Sequence, residues 1–252
     1  MVAPVGLAIF KEAFKDFEDQ YVLIGGTATQ LAMENAGLIF SRTTKDLDIV
    51  VMVDALTPQF IEHFWRFVKA GNYQNKQKSS GTKQFYRFTN PVAAGYPVML
   101  ELFSRRPDFL REGDIEDLTA IPLSEEIASL SAILLNDDYY GLIQRGKNEG
   151  VIWVDAPILI PLKAKAWLDL SQRKLAGEKV DSDEVRKHLR DVLRLLLTLP
   201  ASFKYSLPES ISADIRQFIE QSKDDPVDVS MLGHSGGTTL MELLTQIEQV
   251  FL

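Results

Sequence analysis

Two carboxylates set two residues apart open an apolar run at Asp46-Leu47-Asp48-Ile49-Val50-Val51. On a strand, alternate side chains share a face, so Asp46 and Asp48 would stand side by side at its head. Like charges so placed repel each other and gain nothing from a core. A divalent cation between them reverses that balance. Ligands made only of oxygen suit magnesium, which keeps some waters and completes its shell with substrate phosphates. The alternative is a pair of solvated aspartates in a loop before the strand, because Asp-x-Asp is common by itself.

The segment upstream bears on the choice. Tyr21-Val22-Leu23-Ile24-Gly25-Gly26-Thr27-Ala28 reads as a short buried strand, a glycine turn and the start of a helix. Glycines let the backbone come close to a ligand. The helix start offers N–H groups and the positive end of a dipole, which suits a phosphate, and Thr27 adds a hydroxyl. An ordinary strand-to-helix turn would use glycine too. Yet a Gly-Gly helix followed by Arg42-x-Thr44-x-Asp46-x-Asp48 supplies both a phosphate cradle and a metal chelate.

On these residues the chain resembles the nucleotidyltransferases of the DNA polymerase beta superfamily and, within them, the AbiEii-like toxins of bacterial toxin–antitoxin systems. The resemblance rests on Gly25-Gly26-Thr27-Ala28 and Arg42-x-Thr44-x-Asp46-x-Asp48, and with the later motifs spans residues 20 to 195. It implies an α+β fold: a nucleotidyltransferase-like small mixed sheet with flanking helices, followed by a helical C-terminal part. It implies transfer of a nucleoside monophosphate from a nucleoside triphosphate, with Mg2+ or Mn2+. Gly25, Gly26, Thr27, Arg42 and Thr44 would then bind nucleotide.

Such a site needs a third carboxylate on a neighbouring strand, and Pro97-Val98-Met99-Leu100-Glu101-Leu102-Phe103 carries one. A charge inside an apolar strand is costly unless paired or ligated. Glu101 is read here as a metal ligand beside Asp46 and Asp48; the alternatives are an outward-facing edge position or a pair with Arg105 or Arg106. Two further candidates lie downstream. Lys163, with Ala166 and Asp169, resembles the family's lysine motif, which contacts the triphosphate or acts in transfer. Lys187-His188-Leu189-Arg190-Asp191 resembles the final motif, a basic residue before an aspartate on an apolar helix. The family often has a second acid three residues on, where this chain has Arg194. The resemblance thus adds Lys163 and Asp191 to the catalytic set and Lys187 to the nucleotide-binding one. The bland alternative is a helical hairpin in which Lys163 and Asp191 form a structural salt bridge.

Elements must position these residues. A helical pattern at Leu7 to Phe17 precedes the first strand, and the Gly26 helix runs to Asn35. The Asp46 strand continues to Val53. Pro58 suits a first helical position, and Gly71-Asn72 ends that helix. Gln74 to Lys83 is polar and rich in Ser and Gly, and reads as a mobile loop. Gln84 to Phe88 alternates and should pair with Val98 to Phe103. Leu118 to Leu123 suggests a further strand. Ser124 should start a helix with Glu125 and Glu126 in its first turn, and Asp137-Asp138 should break it. From Ile158 the pattern is helical, interrupted near Gly177, Pro200 and Asp224 to Gly237. A boundary near residue 155 divides a nucleotidyltransferase-like α/β domain, 1–155, from a helical domain, 156–252.

Composition sets outer limits. The 252 residues include no cysteine, so disulfides and thiolate metal sites are excluded. The three histidines lie far apart. The net charge of −8 argues against general affinity for nucleic acid. The charge is uneven: from Lys163 to Arg194, nine Lys or Arg stand against six Asp or Glu, whereas Asp108 to Asp138 is strongly acidic. A locally basic segment could guide an RNA end or a triphosphate; two solvated helices of mixed charge would look the same. The start, Met1 to Phe10, has neither the positive residues nor the cleavage site of a signal peptide. No apolar run reaches membrane-spanning length, so no membrane partner is expected and the cytoplasm is the expected compartment.

Three functions compete. The first is a toxin-type nucleotidyltransferase that modifies RNA (tRNA) or protein and is inhibited by an antitoxin protein. The second is a small-molecule nucleotidyltransferase of the antibiotic-modifying type, which would not need the Lys163 and Lys187/Asp191 motifs. The third is a binding protein that kept the fold without activity.

Overall fold

Tyr21-Val22-Leu23-Ile24 and the run after Asp46 have the β-branched, apolar character of strands buried on both faces. The computed structural model describes residues 4–40, 44–52, 54–78, 84–105, 119–120, 125–146, 152–234 and 236–252. In it these runs form β1 (Tyr21–Ile24) and β2 (Asp46–Val51). The chain makes two compact units. One comprises Met1–Glu34, Ile39–Leu123 and Lys147–Val154; the other comprises Asn35–Leu38, Ser124–Gly146 and Asp155–Leu252.

The first unit holds a six-stranded mixed sheet. Its further strands are β3 (Tyr73–Lys78), β4 (Gln84–Pro91), β5 (Met99–Ser104) and β6 (Thr119–Ala120). The order is β1-β2-β5-β4-β3-β6. β2 and β5 run parallel, as do β3 and β6; the other neighbours are antiparallel. The free side of β1 is covered at Leu23, whose N–H and C=O bond Ile152 and Val154.

One face of this sheet is apolar. Leu23, Leu47, Ile49, Leu100, Leu102, Tyr86 and Phe88 join side chains of α1 (Leu7–Phe14) and α3 (Pro58–Gly71) in one core. Phe14 packs its ring against Phe10, Tyr21, Phe60, Phe64 and Phe67. Pro58 sits in the first turn of α3, the Thr57 side chain caps it by accepting from Phe60 N–H, and Asn72 closes it in the left-handed conformation at φ 48°. The period of two then sends Asp46, Asp48 and Glu101 to the other face.

The polar stretch after Asn72 departs from expectation. Residues 73–78 form β3, paired antiparallel with β4, where composition predicts a loop. The ladder is made by backbone groups, which any side chain except proline supplies, and Gln74 and Asn75 turn their polar ends to solvent. Tyr73 anchors the strand from the buried side, its hydroxyl donating to Pro97 C=O at 2.8 Å. Ser124 and residues 79–83, 121–123 and 118 lie outside the described residues.

The second unit is helical: α4 (Glu125–Leu135), α5 (Asp137–Gly146), α6 (Ala156–Leu175), α7 (Ser182–Leu195), α8 (Glu209–Ser222) and α9 (Leu240–Phe251). Asp137 and Asp138 end α4 and also supply the acidic first turn of α5. Asp155 caps α6 and Asp181 caps α7 through their side chains. Thr239 and Glu242 form a reciprocal capping box on α9. Among the described residues, no helix is long and apolar enough to cross a membrane.

Candidate active site

The site is assembled where α2 (Gly25–Asn35) leaves β1 beside the head of β2. Ile24 is the register partner of Asp48, so the turn into α2 comes down on that carboxylate. Gly25 has φ +64°, a left-handed conformation that favours glycine. A Cβ there would lie 1.9 Å from Asp48 Oδ2. The Gly26 N–H donates to the same oxygen at 3.4 Å. The two glycines therefore do separate jobs: Gly25 leaves room for the Asp48 carboxylate, and Gly26 turns the open end of α2 towards it.

The neighbouring residues fix the head of β2. Thr27, fully buried, donates its hydroxyl to Asp46 C=O at 2.7 Å. Thr44, also buried, donates its hydroxyl to Gln30 Oε1 at 2.7 Å, and its N–H reaches the same oxygen at 3.3 Å. Gln30 Nε2 donates in turn to Glu34 at 2.8 Å. Thr27 and Thr44 thus tie helix to strand through buried hydrogen bonds. Nothing in the sequence marks Gln30, whose role depends on its burial against Thr44. Arg42 lies outside the described residues.

Glu101 is the register partner of Asp48 across the parallel β2–β5 pair, so the two side chains share a face, on strands about 4.8 Å apart. Asp46 shares that face by the strand period. On the far side of Glu101, Arg87 is its register partner on β4. Arg87 Nε donates to Glu101 Oε1 at 2.8 Å, and its terminal nitrogen lies 2.7 Å from that oxygen. The side chains are 21% and 10% exposed, a largely desolvated pair. The guanidinium also lies over the Phe85 ring at 5.2 Å. Arg87 was read only as one residue of an alternating strand. Counting register from the 91–98 connection would have set it against Glu101.

In the helical unit, Lys163 and Asp191 meet across α6 and α7 at 2.8 Å, with side chains 7% and 0% exposed. Arg194 approaches the other Asp191 oxygen at 3.6 Å. His188, one turn before Asp191, is buried, and its pKa falls to about 3. Burial is the main cause, followed by the charges of Lys163 and Lys187. It is therefore a neutral ring at ordinary pH. Lys187 pairs with Glu184 on its own helix at 2.8 Å. Much of the local basic excess is matched in the same way: Lys165 pairs with Asp214, Arg173 with Asp169, and Arg186 with Asp183. The structure thus brings Lys163 to Asp191, the ion pair open as an alternative in the sequence. It sets Asp46, Asp48 and Glu101 on one face of the sheet in the other unit.

Asp46 and Asp48 are the residues that could hold a divalent cation here. The two share one side of β2 by the strand period, and Asp48 lies at the start of α2, where Gly25 leaves room for its carboxylate. Among the described residues, no group of three His, Cys, Asp or Glu is arranged to hold a metal. Magnesium is commonly held by one or two carboxylates, with water and phosphate completing its shell.

No family model matches the chain, and no curated protein matches it. Among solved structures, an antigenic nucleotidyltransferase-like protein from Paracoccidioides brasiliensis superposes with a TM-score of 0.45 at 14% identity, over 97% of this chain and 91% of that one. A GLD-2/RNP-8 complex superposes with a TM-score of 0.29 at 11% identity, over 95% of this chain and 64% of that one. Both likenesses are remote, in identity and in superposition alike.

Proposed function

We propose that the chain is a metal-dependent nucleotidyltransferase that moves a nucleoside monophosphate from a nucleoside triphosphate to an RNA (tRNA) or protein acceptor, as a toxin of the AbiEii-like kind with an antitoxin protein as partner. The observation that carries the reading is Asp46 and Asp48 on one sheet face, with Asp48 seated against the Gly25-Gly26 turn at the start of α2. Asp46 and Asp48 would hold Mg2+ or Mn2+, which would neutralise charge on the phosphates and activate the attacking hydroxyl. The chain's own residues orient the substrate. The N-terminal amides of α2 beyond Gly26 would face the phosphates, while Thr27, Thr44 and Gln30 hold the head of β2. In-line attack on the α-phosphorus would form the new P–O bond and release pyrophosphate.

The buried Lys163–Asp191 pair favours a second reading. A lysine already held in an ion pair is one that a small-molecule nucleotidyltransferase would not need. One experiment separates the two. The purified chain is incubated with each labelled triphosphate and, in turn, bulk tRNA, protein and aminoglycoside acceptors. Label on tRNA or protein, lost in Asp48→Ala, supports the first reading, and label only on the small molecule supports the second. With no label on any acceptor and no metal-dependent triphosphate binding, both fail.

A further inference from the structure

The face that carries Asp46 and Asp48 continues across the sheet in two rows. One runs Asp48–Glu101–Arg87 and the other Asp46–Met99–Thr89, each from β2 through β5 to β4. Arg87 and Thr89 end these rows, about 10 Å of sheet from the aspartates. The start of α2 lies the other way, because β1 is the other neighbour of β2. We propose that Arg87 binds a phosphate of the acceptor beside the attacking hydroxyl, and so selects a nucleic-acid end over a protein hydroxyl. This rests on the nucleotidyltransferase reading above.

The direction of the reaction comes first. Attacking and leaving oxygens stand roughly in line across the phosphorus. A triphosphate whose leaving end lies by the amides of α2 is attacked from the β5–β4 side, where Arg87 stands. The donors come second. Arg87 Nε and a terminal nitrogen both meet Glu101 Oε1, at 2.8 and 2.7 Å. A guanidinium carries five N–H donors in a fixed fork, so one acceptor oxygen does not exhaust it. The Arg87 side chain is 21% exposed, and the Phe85 ring at 5.2 Å steadies it without using a donor. Such a fork suits phosphate. Beside it, Asn75 Nδ2 donates to Thr89 Oγ1 at 3.1 Å, which carries the polar strip on to β3. With a net charge of −8 the chain has no general pull on a polyanion, so a local contact must do the selecting. The 3′ end of a nucleic acid brings a phosphodiester on the same nucleotide as its hydroxyl; a serine or tyrosine brings none.

The test compares two short RNA oligonucleotides, one native and one with an uncharged methylphosphonate at its last linkage. Binding is read by fluorescence anisotropy with Mn2+ and a non-hydrolysable triphosphate present, and triphosphate affinity by calorimetry. The wild type should bind the native oligonucleotide at least about tenfold more tightly, the scale of one charge-assisted hydrogen bond. Arg87→Gln should bind both equally and keep its triphosphate affinity, and Glu101→Gln should keep the preference. A merely structural ion pair would instead weaken both oligonucleotides alike. A preference that survives in Arg87→Gln, or that disappears in Glu101→Gln, overturns the proposal. Lost triphosphate affinity in Arg87→Gln moves the contact to the nucleotide and overturns it too. Should Arg87→Gln not fold, the double variant Arg87→Gln/Glu101→Gln removes the stranded charge and is read against Glu101→Gln in the same way. A wild type without metal-dependent triphosphate binding ends the nucleotidyltransferase reading and this proposal with it. One that binds the triphosphate but does not prefer the native oligonucleotide ends this proposal alone.

Discussion

Replacing Asp191 by alanine leaves the Lys163 ammonium with no carboxylate at 2.8 Å, in a place where its side chain is 7% exposed. Breaking a buried pair by removing one partner costs about 3–5 kcal/mol, because the remaining charge stays desolvated. Arg194 loses its 3.6 Å contact as well, but its side chain is 20% exposed and adds little to the loss. His188 cannot compensate, since it is neutral and its ring is no acid. At roughly 2–4 °C per kcal/mol for a chain of this size, Asp191→Ala should melt roughly 6–20 °C below the wild type. The pair's net worth is a different quantity. Lys163→Met with Asp191→Leu fills the same volume with apolar atoms and should fall near the wild type, or up to about 4 kcal/mol above it. Urea denaturation of Lys163→Met, Asp191→Leu and the double variant gives the coupling energy directly. A single-variant loss under about 1 kcal/mol would refute the reasoning. Should the wild type prove to transfer nucleotide, a folded double variant that keeps the activity shows that neither Lys163 nor Asp191 is needed for it, and one that loses it gives the pair a part in the chemistry.

Asp48→Ala should abolish metal-dependent binding of a non-hydrolysable triphosphate while the fold persists, which calorimetry and circular dichroism check together. Gly25→Ala puts a Cβ 1.9 Å from Asp48 Oδ2 at φ +64°. It should cost about 1–3 kcal/mol and weaken Mn2+ binding, and native melting with native affinity would count against the cradle. Gln30→Ala leaves Thr44 without its acceptor and should cost about 1–3 kcal/mol, read by urea titration, with Gln30→Glu a partial rescue. For His188 the folded pKa of about 3 lies below the unfolded value, so the unfolded chain binds the proton first. Its contribution is full above pH 6.5 and declines as pH falls from about 6.5 towards 3, by up to about 1.4 kcal/mol per unit. Between pH 6.5 and 5, where most carboxylates remain ionised, the wild type should lose more urea stability than His188→Gln, and equal slopes would exclude the buried neutral ring.

What the sequence disclosed depended on range. The strand, the glycine turn, α2 and the head of β2 were legible because each is set within a few residues: apolar runs, a Gly-Gly step, and two acids at the strand period. Pro58 and Asn72 marked the limits of α3 for the same reason. β3 was hidden because its stability comes from the ladder with β4, not from its own side chains; a polar stretch pairs as well as an apolar one where one face meets solvent. The partners were hidden too. Asp48, Glu101 and Arg87 lie on three different strands, and only register, which a shift of one residue would invert, makes them neighbours.

Register also explains how these charged residues come to share the second face of the sheet, beside buried Val22, Ile24, Val50, Phe85 and Phe103. Leu47 and Ile49 alternate with Asp46 and Asp48, and Leu100 and Leu102 with Glu101, so each acid is flanked along its strand by side chains committed to the opposite core. A one-residue slip of β2 would send both aspartates into the phenylalanines of α1 and α3, a burial of charge that those packed rings cannot satisfy. The aromatic core therefore does more than stabilise. It fixes the register of β2, and so decides that Asp48 faces the start of α2 and that Asp46 shares its side of the strand. The placement of the acids on one side of the sheet is held by apolar packing on the other.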